Sequence, residues 1–91
     1  MNQEDVKFRF EVVEVSEIEN GYQISVNVQI RWLKEKVYEG QVNVVMNPIG
    51  IFPSPADLAK ASPYKGVRGK LGAELKRYIK IQKKFIPELA N

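Results

Sequence analysis

The stretch that decides the fold runs from Tyr22 to Trp32 and reads YQISVNVQIRW. Its even-numbered residues are all aliphatic or aromatic, and its odd-numbered residues are all polar. Because side chains alternate between the two faces of a β-strand, this pattern predicts one strand with an apolar inner face and a polar outer face. Similar alternation precedes and follows it, so we expect this strand to lie in the middle of an antiparallel sheet.

The first neighbouring strand is predicted over residues 6–18, where the apolar alternation changes phase at Val12-Val13. Asn20-Gly21 separates it from the central strand, and Asn-Gly is a strong signal for a two-residue hairpin turn because both residues tolerate positive φ. A one-residue bulge at Val12-Val13 then absorbs the phase change and brings Phe10 opposite Ile30.

The other neighbouring strand is predicted from Val37 to about Met46, after a charged turn at Lys34-Glu35-Lys36. Placing Trp32 opposite Tyr38 keeps the apolar even positions of both strands on one face. Gly40 then leaves a space that the rings of Trp32 and Tyr38 can fill. The first 46 residues are therefore expected to form a three-stranded antiparallel β-meander.

A connector is predicted over residues 47–62, because its closely spaced prolines and Gly50 disfavour regular strand pairing. Within it, Ser54 is placed to cap a short helix over about 55–61, with Pro55 at the first helical position. Ser62-Pro63 ends that helix.

The last predicted element is a basic amphipathic helix within residues 63–91, ending near Phe85-Ile86 and stopped by Pro87. Glycines weaken its first turns, so its start is left open. On a helical wheel its apolar arc comprises Leu71, Leu75, Tyr78, Ile79, Ile81, Phe85 and Ile86. This arc is wide enough to cover one sheet face. The expected fold is a single α+β domain, with the C-terminal helix packed across one face of the meander.

The composition argues against catalysis. The chain has 91 residues, enough for one modest core, and contains neither cysteine nor histidine. Cysteine nucleophiles and histidine, which is the commonest general base and metal ligand, are therefore absent. An enzyme could still use Asp, Glu, Lys, Tyr or Ser, but no set of nucleophile, base and orienting residue can be assembled from the residues present. We expect a protein that is not an enzyme and that has no cofactor and no metal site.

The chain shows no apolar run of the roughly 18 residues that a membrane span requires, and its first residues are polar and acidic. A secretory signal peptide instead has a basic start and an apolar core. We therefore expect a cytoplasmic protein with no membrane span and no small-molecule substrate.

Charge is distributed unevenly along the chain. Residues 1–55 carry five basic and eight acidic groups, a net of −3, whereas residues 56–91 carry nine basic and three acidic groups, a net of +6. The candidate anion-binding or nucleic-acid-binding residues are Lys65, Arg68, Lys70, Lys76, Arg77, Lys80, Lys83 and Lys84. Such a stripe can neutralise phosphates, but a solvated helix face has the same composition. Because most of these cations are lysines, they favour diffuse electrostatic attraction over bidentate recognition.

Two apolar groups are candidates for protein interaction. Ile49, Ile51 and Phe52 lie on the proline-rich connector and form an apolar patch if they are exposed. The alternative is that they pack beneath the sheet edge as part of the core. Leu33 and Val37 flank the second turn on the face opposite the core. The open sheet edges are a further surface for strand addition or dimerisation.

Glutamates on or near the first strand form an acidic cluster at Glu11, Glu14, Glu17 and Glu19. They lack the spacing of a calcium-binding loop, so we interpret them as a solvated acidic rim.

Two functions of different class remain. The first is a small non-enzymatic protein-interaction module, an accessory or regulatory subunit that binds another protein or itself with little dependence on salt. The second is a binder of nucleic acid or of an anionic surface through the basic C-terminal helix, with an affinity that falls steeply as salt rises.

Overall fold

The computed structural model describes residues 5–86, which form four strands and two helices. The elements are β1 (Val6–Ile18), β2 (Gly21–Trp32), β3 (Glu35–Asn47), β4 (Gly50–Pro53), α1 (Pro55–Ala61) and α2 (Lys65–Gln82). The strands form one antiparallel sheet in the order β1-β2-β3-β4. The predicted α+β meander with a short helix and a C-terminal helix is confirmed, and the sheet has one strand more than predicted.

The core lies between the inner face of the sheet and α2. The even-numbered residues Ile24, Val26, Val28 and Ile30 of β2 are fully buried, as the alternation predicts. They form one apolar cluster with the buried side chains of α2, which are Val67, Leu71, Leu75 and Ile79. These four residues recur at four-residue spacing, which returns to nearly the same side of a helix.

The bulge in β1 is confirmed, but the predicted pairing of β1 with β2 is wrong by two residues. The register shifts between Val12 and Glu14, whereas Phe10 lies opposite Val28. The turn uses Glu19-Asn20, and Asn20 supplies the positive φ of 65°. Gly21 belongs to β2 instead, where a Cβ atom would collide with the carbonyl oxygen of Met46. Its lack of a side chain serves the close approach of β3, which the Asn-Gly motif does not reveal.

The second hairpin is also displaced by two residues from its prediction. Its turn is Leu33-Lys34, with Leu33 at a φ of 59°, so β3 begins at Glu35. Tyr38 lies opposite Ile30, and a register shift follows between Ile30 and Arg31. The predicted relation of Tyr38 to Gly40 is confirmed, since a Cβ on Gly40 would collide with the Tyr38 hydroxyl.

The prediction that the connector is unpaired is wrong. Residues 50–53 form β4, which pairs with β3 from Asn47↔Gly50 to Val44↔Pro53. The side-chain oxygen of Asn47 accepts the backbone N–H groups of Ile49 at 2.8 Å and Gly50 at 3.1 Å, which closes the turn around Pro48. Pro53 is tolerated because it is the last residue of an edge strand, where a missing N–H costs no ladder hydrogen bond.

The capped short helix α1 is confirmed at its predicted bounds. The Ser54 hydroxyl accepts the backbone N–H of Asp57 at 3.3 Å. The side chain of Asp57 also connects α1 to β3, because one of its carboxylate oxygens accepts the backbone N–H of Asn43 at 2.9 Å.

Helix α2 ends earlier than predicted, at Gln82, and a turn follows. The predicted burial of Ile81 and Phe85 is wrong, because their side chains are 54% and 73% exposed. Ile81 lies beyond the buried arc of the helix, and Phe85 follows its end, where helical spacing no longer applies. Pro87, the predicted stop, lies outside the described residues. In residues 5–86 neither helix is long and apolar enough to cross a membrane.

Candidate binding site

Two candidate groups that are far apart in sequence meet beside β4. The side of α2 passes along this strand and leaves a depression of about 610 Å³ between them. Its lining residues are Ile49, Gly50, Ile51, Phe52, Lys76, Arg77 and Lys80. The depression therefore has an apolar wall from the predicted interaction patch and a cationic wall from the predicted basic helix face.

A second depression continues the first towards the start of α2. It is lined by Phe52, Pro53, Pro55, Leu58, Arg68, Gly69, Gly72, Ala73 and Lys76. Phe52 and Lys76 line both depressions, so the two adjoin, and we call them together the β4–α2 groove. From Arg68 to Lys80 the helix rises by about 18 Å, which is enough to accommodate five or six extended residues.

The apolar wall of the groove is exposed rather than part of the core. Ile49 is 86% exposed and Phe52 is 46% exposed, whereas Ile51 packs against the core cluster. The sequence left open whether these residues are exposed or pack beneath the sheet edge. Of the three, only Ile51 packs against the core. Prolines on either side of β4 hold the two exposed side chains on an ordered turn and strand.

Small residues keep the helix wall of the groove low. A Cβ on Gly69 would meet nothing within 4 Å, and a Cβ on Gly72 would only touch the side chain of Leu58 at 3.5 Å. Gly69 and Gly72, which were predicted to weaken the first turns of the helix, lie inside α2 and allow close approach to its backbone.

Within residues 5–86, the groove cations form no ion pair. Among the described residues, ion pairs within 4.0 Å join Lys36 to Glu39 and Lys70 to Glu74. Lys76, Arg77 and Lys80 take part in neither pair. Their positive charge is therefore not neutralised by an ion pair within residues 5–86, which makes the groove a candidate site for an anionic ligand.

The structure divides the predicted cation set. Lys70 lies on the β1 side of α2, where its Nζ donates to the Val6 carbonyl at 3.4 Å and lies 5.9 Å from the centre of the Phe8 ring. On this side Tyr78 also packs against Phe10, with ring centres 5.2 Å apart, and burial raises the pKa of Tyr78. These contacts fasten α2 to β1 and are separate from the groove.

The remaining cations lie near the two ends of the groove. Lys65 lines a shallow extension beside Pro55 and Leu58, together with Arg68, which also lines the second depression. Lys83 and Lys84 are exposed in the turn that follows α2 and do not line the depressions described above. They serve as matched control positions with the same charge.

The other predicted interaction residues lie elsewhere. Leu33 and Val37 are exposed at the β2–β3 hairpin, at the opposite end of the sheet from the turn that precedes β4. The structure therefore does not bring them to the groove.

The outer sheet face carries a network that the alternating pattern did not reveal. The Glu39 carboxylate accepts hydrogen bonds from the side chains of Lys36 at 2.7 Å, Asn27 at 3.1 Å and Gln29 at 3.1 Å. These hydrogen bonds, with Lys36 the strongest, lower the pKa of Glu39 to about 2. Because Glu39 is engaged by its own neighbours, this face is a weaker candidate for ligand binding than the groove.

The acidic residues of β1 remain exposed as a rim. Within the described part of the chain, acidic side chains do not gather in a group of three or more that could hold a metal ion.

No protein-family model matches the chain, and no curated protein or solved structure is significantly similar to it.

Proposed function

We propose that this protein is a non-catalytic binding module whose β4–α2 groove holds an acidic, partly apolar segment of a partner polypeptide. The observation that carries the proposal is the pairing of exposed apolar side chains at Ile49 and Phe52 with cations at Lys76 and Lys80 that form no ion pair within residues 5–86. Burying Phe52 against a partner gives affinity through the hydrophobic effect, and the cations select acidic segments.

The open edge of β4 supports a polypeptide as the ligand. The Ser54 N–H donates to the Asn43 carbonyl at 2.8 Å, so this pair is in the hydrogen-bonded phase of the β3–β4 ladder. Opposed residues alternate between bonded and non-bonded pairs, which makes Met46↔Ile51 a non-bonded pair. The N–H and C=O of Ile51 therefore face away from β3. An added strand can accept a hydrogen bond from this N–H and donate one to this C=O.

Nucleic acid is a second candidate ligand. It is favoured by the continuation of positive charge from Lys80 to Lys83 and Lys84, together with exposed aromatic side chains at Phe52 and Phe85. Exposed rings can stack on bases, and lysines can neutralise phosphates. It ranks second because an extended polypeptide can pair with both the N–H and the C=O of Ile51, whereas a phosphate oxygen can only accept from the N–H.

The test is a selection from a random library of twelve-residue peptides displayed on phage. We expect the enriched peptides to combine aspartate or glutamate with large apolar residues. Their affinity, measured by fluorescence anisotropy, should fall at least about tenfold in Phe52→Ser and in Lys76→Glu/Lys80→Glu, because each change removes one wall of the groove.

The matched control is Lys83→Glu/Lys84→Glu, which alters the net charge equally but lies outside the groove lining. This variant should retain most of the peptide affinity. Equal losses in the control and groove variants, or enriched peptides without acidic residues, would count against the proposal. Tighter binding to mixed-sequence DNA or RNA than to the peptides would favour the second candidate.

A further inference from the structure

We infer that the acidic segment can be supplied by a second copy of this chain, whose β1 end (residues 14–18) adds to β4 as a fifth strand. This inference rests on the proposed function and names the occupant of the groove. It follows from the backbone phase, row position and charge of the two sheet edges.

One row of paired residues joins the two edges of the sheet. Glu17 lies opposite Tyr22, Tyr22 opposite Met46, and Met46 opposite Ile51, so Glu17 and Ile51 end the same row of residues. β1 and β4 run in opposite directions because the meander contains an even number of antiparallel strands. A copy displaced sideways within the plane of the sheet thus brings its β1 antiparallel to β4, with Glu17 beside Ile51.

The backbone phase of β1 also fits. Ile18↔Gly21 closes the two-residue turn and is a hydrogen-bonded pair, so Glu17↔Tyr22 is non-bonded. The N–H and C=O of Glu17 therefore face the open edge, as those of Ile51 do at the other edge. A Glu17–Ile51 pair between copies can exchange two backbone hydrogen bonds.

The charges of the two edges are complementary. Glu17 has the same strand parity as the inward-facing Val15, so in the displaced copy it lies on the sheet face that carries α2. There it approaches Lys76 and Lys80, which line the groove beside Ile51. The uneven charge of the chain, acidic in β1 and basic in α2, thus becomes an attraction between neighbouring molecules.

The bulge limits this contact to a short segment. The extra residue at Val13 interrupts the regular β1 edge, and bulges on edge strands restrict unwanted pairing. Residues 14–18 beyond it are regular and about as long as β4. The contact is therefore small, reversible and salt-sensitive, and because it joins two different surfaces it does not close at a dimer.

The test is sedimentation of the whole protein from about 10 μM to 1 mM in about 50 mM salt. We expect the average mass to rise above the monomer mass of 10.4 kDa without levelling off at twice that value, and to fall towards it at about 500 mM salt. Lys76→Glu/Lys80→Glu and Glu17→Lys should each weaken association at least about tenfold. Lys83→Glu/Lys84→Glu should associate like the parent.

Mixing the groove variant with the β1-edge variant should restore association, because each supplies the charge that the other has lost. A parent protein that stays monomeric throughout, or a control variant that dissociates as readily as the groove variant, overturns the inference. A monomeric protein that still binds the selected acidic peptides overturns self-association alone and leaves the proposed function standing. Loss of both properties removes both.

Discussion

Glu17 and Ile51 lie at opposite ends of one row of the sheet, each with its backbone hydrogen-bonding groups directed outward. One carries negative charge at the β1 edge, and the other lies beside the cations of α2 at the β4 edge. This relationship makes the two sheet edges different in charge but equal in backbone phase, so that one edge can bind a segment chemically like the other.

The phase of α2 can be tested by truncating one buried and one exposed side chain. Leu75→Ala should lower the free energy of unfolding by roughly 2–5 kcal/mol, because Leu75 is fully buried and its removal leaves a cavity. Ile81→Ala should change it by less than about 0.5 kcal/mol, since that side chain is mostly exposed. Urea denaturation followed by circular dichroism measures both. Similar losses would mean that α2 lies on the sheet in another rotation.

Two glycines provide a matched test of backbone packing. Gly21→Ala should destabilise the protein by roughly 1–3 kcal/mol, because the new Cβ collides with the Met46 carbonyl and pushes β3 away. Gly69→Ala should instead stabilise it by about 0.5–1 kcal/mol, since its Cβ meets open space and alanine favours the helix. Thermal unfolding should shift in opposite directions for the two variants. A harmless Gly21→Ala would show that this glycine serves the turn alone.

The outer-face network predicts a dependence on pH. The lowered pKa of Glu39 means that its stabilising contribution is present above the ordinary carboxyl pKa of 4.5 and is lost as pH falls through about 2. The difference in unfolding free energy between the parent and Glu39→Gln should therefore shrink between pH 5 and pH 2. High salt should also reduce it, because the carboxylate is exposed to solvent. An NMR titration in which Glu39 protonates near pH 4.5 would refute the network.

The second candidate function predicts a salt slope. If nucleic acid binds the α2 cations, its affinity should fall steeply between about 50 and 200 mM salt, and Lys83→Glu/Lys84→Glu should weaken it as much as Lys76→Glu/Lys80→Glu does. Peptide binding should distinguish the two variants, because the groove is lined by only one of the pairs. Anisotropy with labelled single-stranded DNA checks this.

The sequence predicted the sheet faces, the bulge and the α1 cap because these depend on local alternation and short-range hydrogen bonds. It misplaced the pairing register of both hairpins by two residues, because such a shift keeps every side chain on its face and leaves the apolar pattern unchanged. Contacts between distant strands decide that choice, as the approach of Met46 to Gly21 shows.

The sequence identified the exposed apolar residues and the cations of the candidate site but not their meeting, and it did not identify the part that Leu58, Gly69 and Gly72 play in lining the groove. The prolines around Ile51 suggested an irregular connector, whereas Asn47 closes a turn that returns the chain to β3. Only that return brings Phe52 beside Lys76 and Lys80. The apolar patch and the basic helix face were therefore predicted as two separate candidate sites, because each pattern is local in the sequence.

The most direct test of the groove is an NMR titration of the isotope-labelled protein with the tightest acidic peptide from the selection. We expect saturable shifts of backbone amides in residues 49–52 and 68–80, with little change at Leu33, Val37 and the Glu39 network. Saturable shifts confined to those other surfaces, or no saturable shifts in the groove, would contradict it.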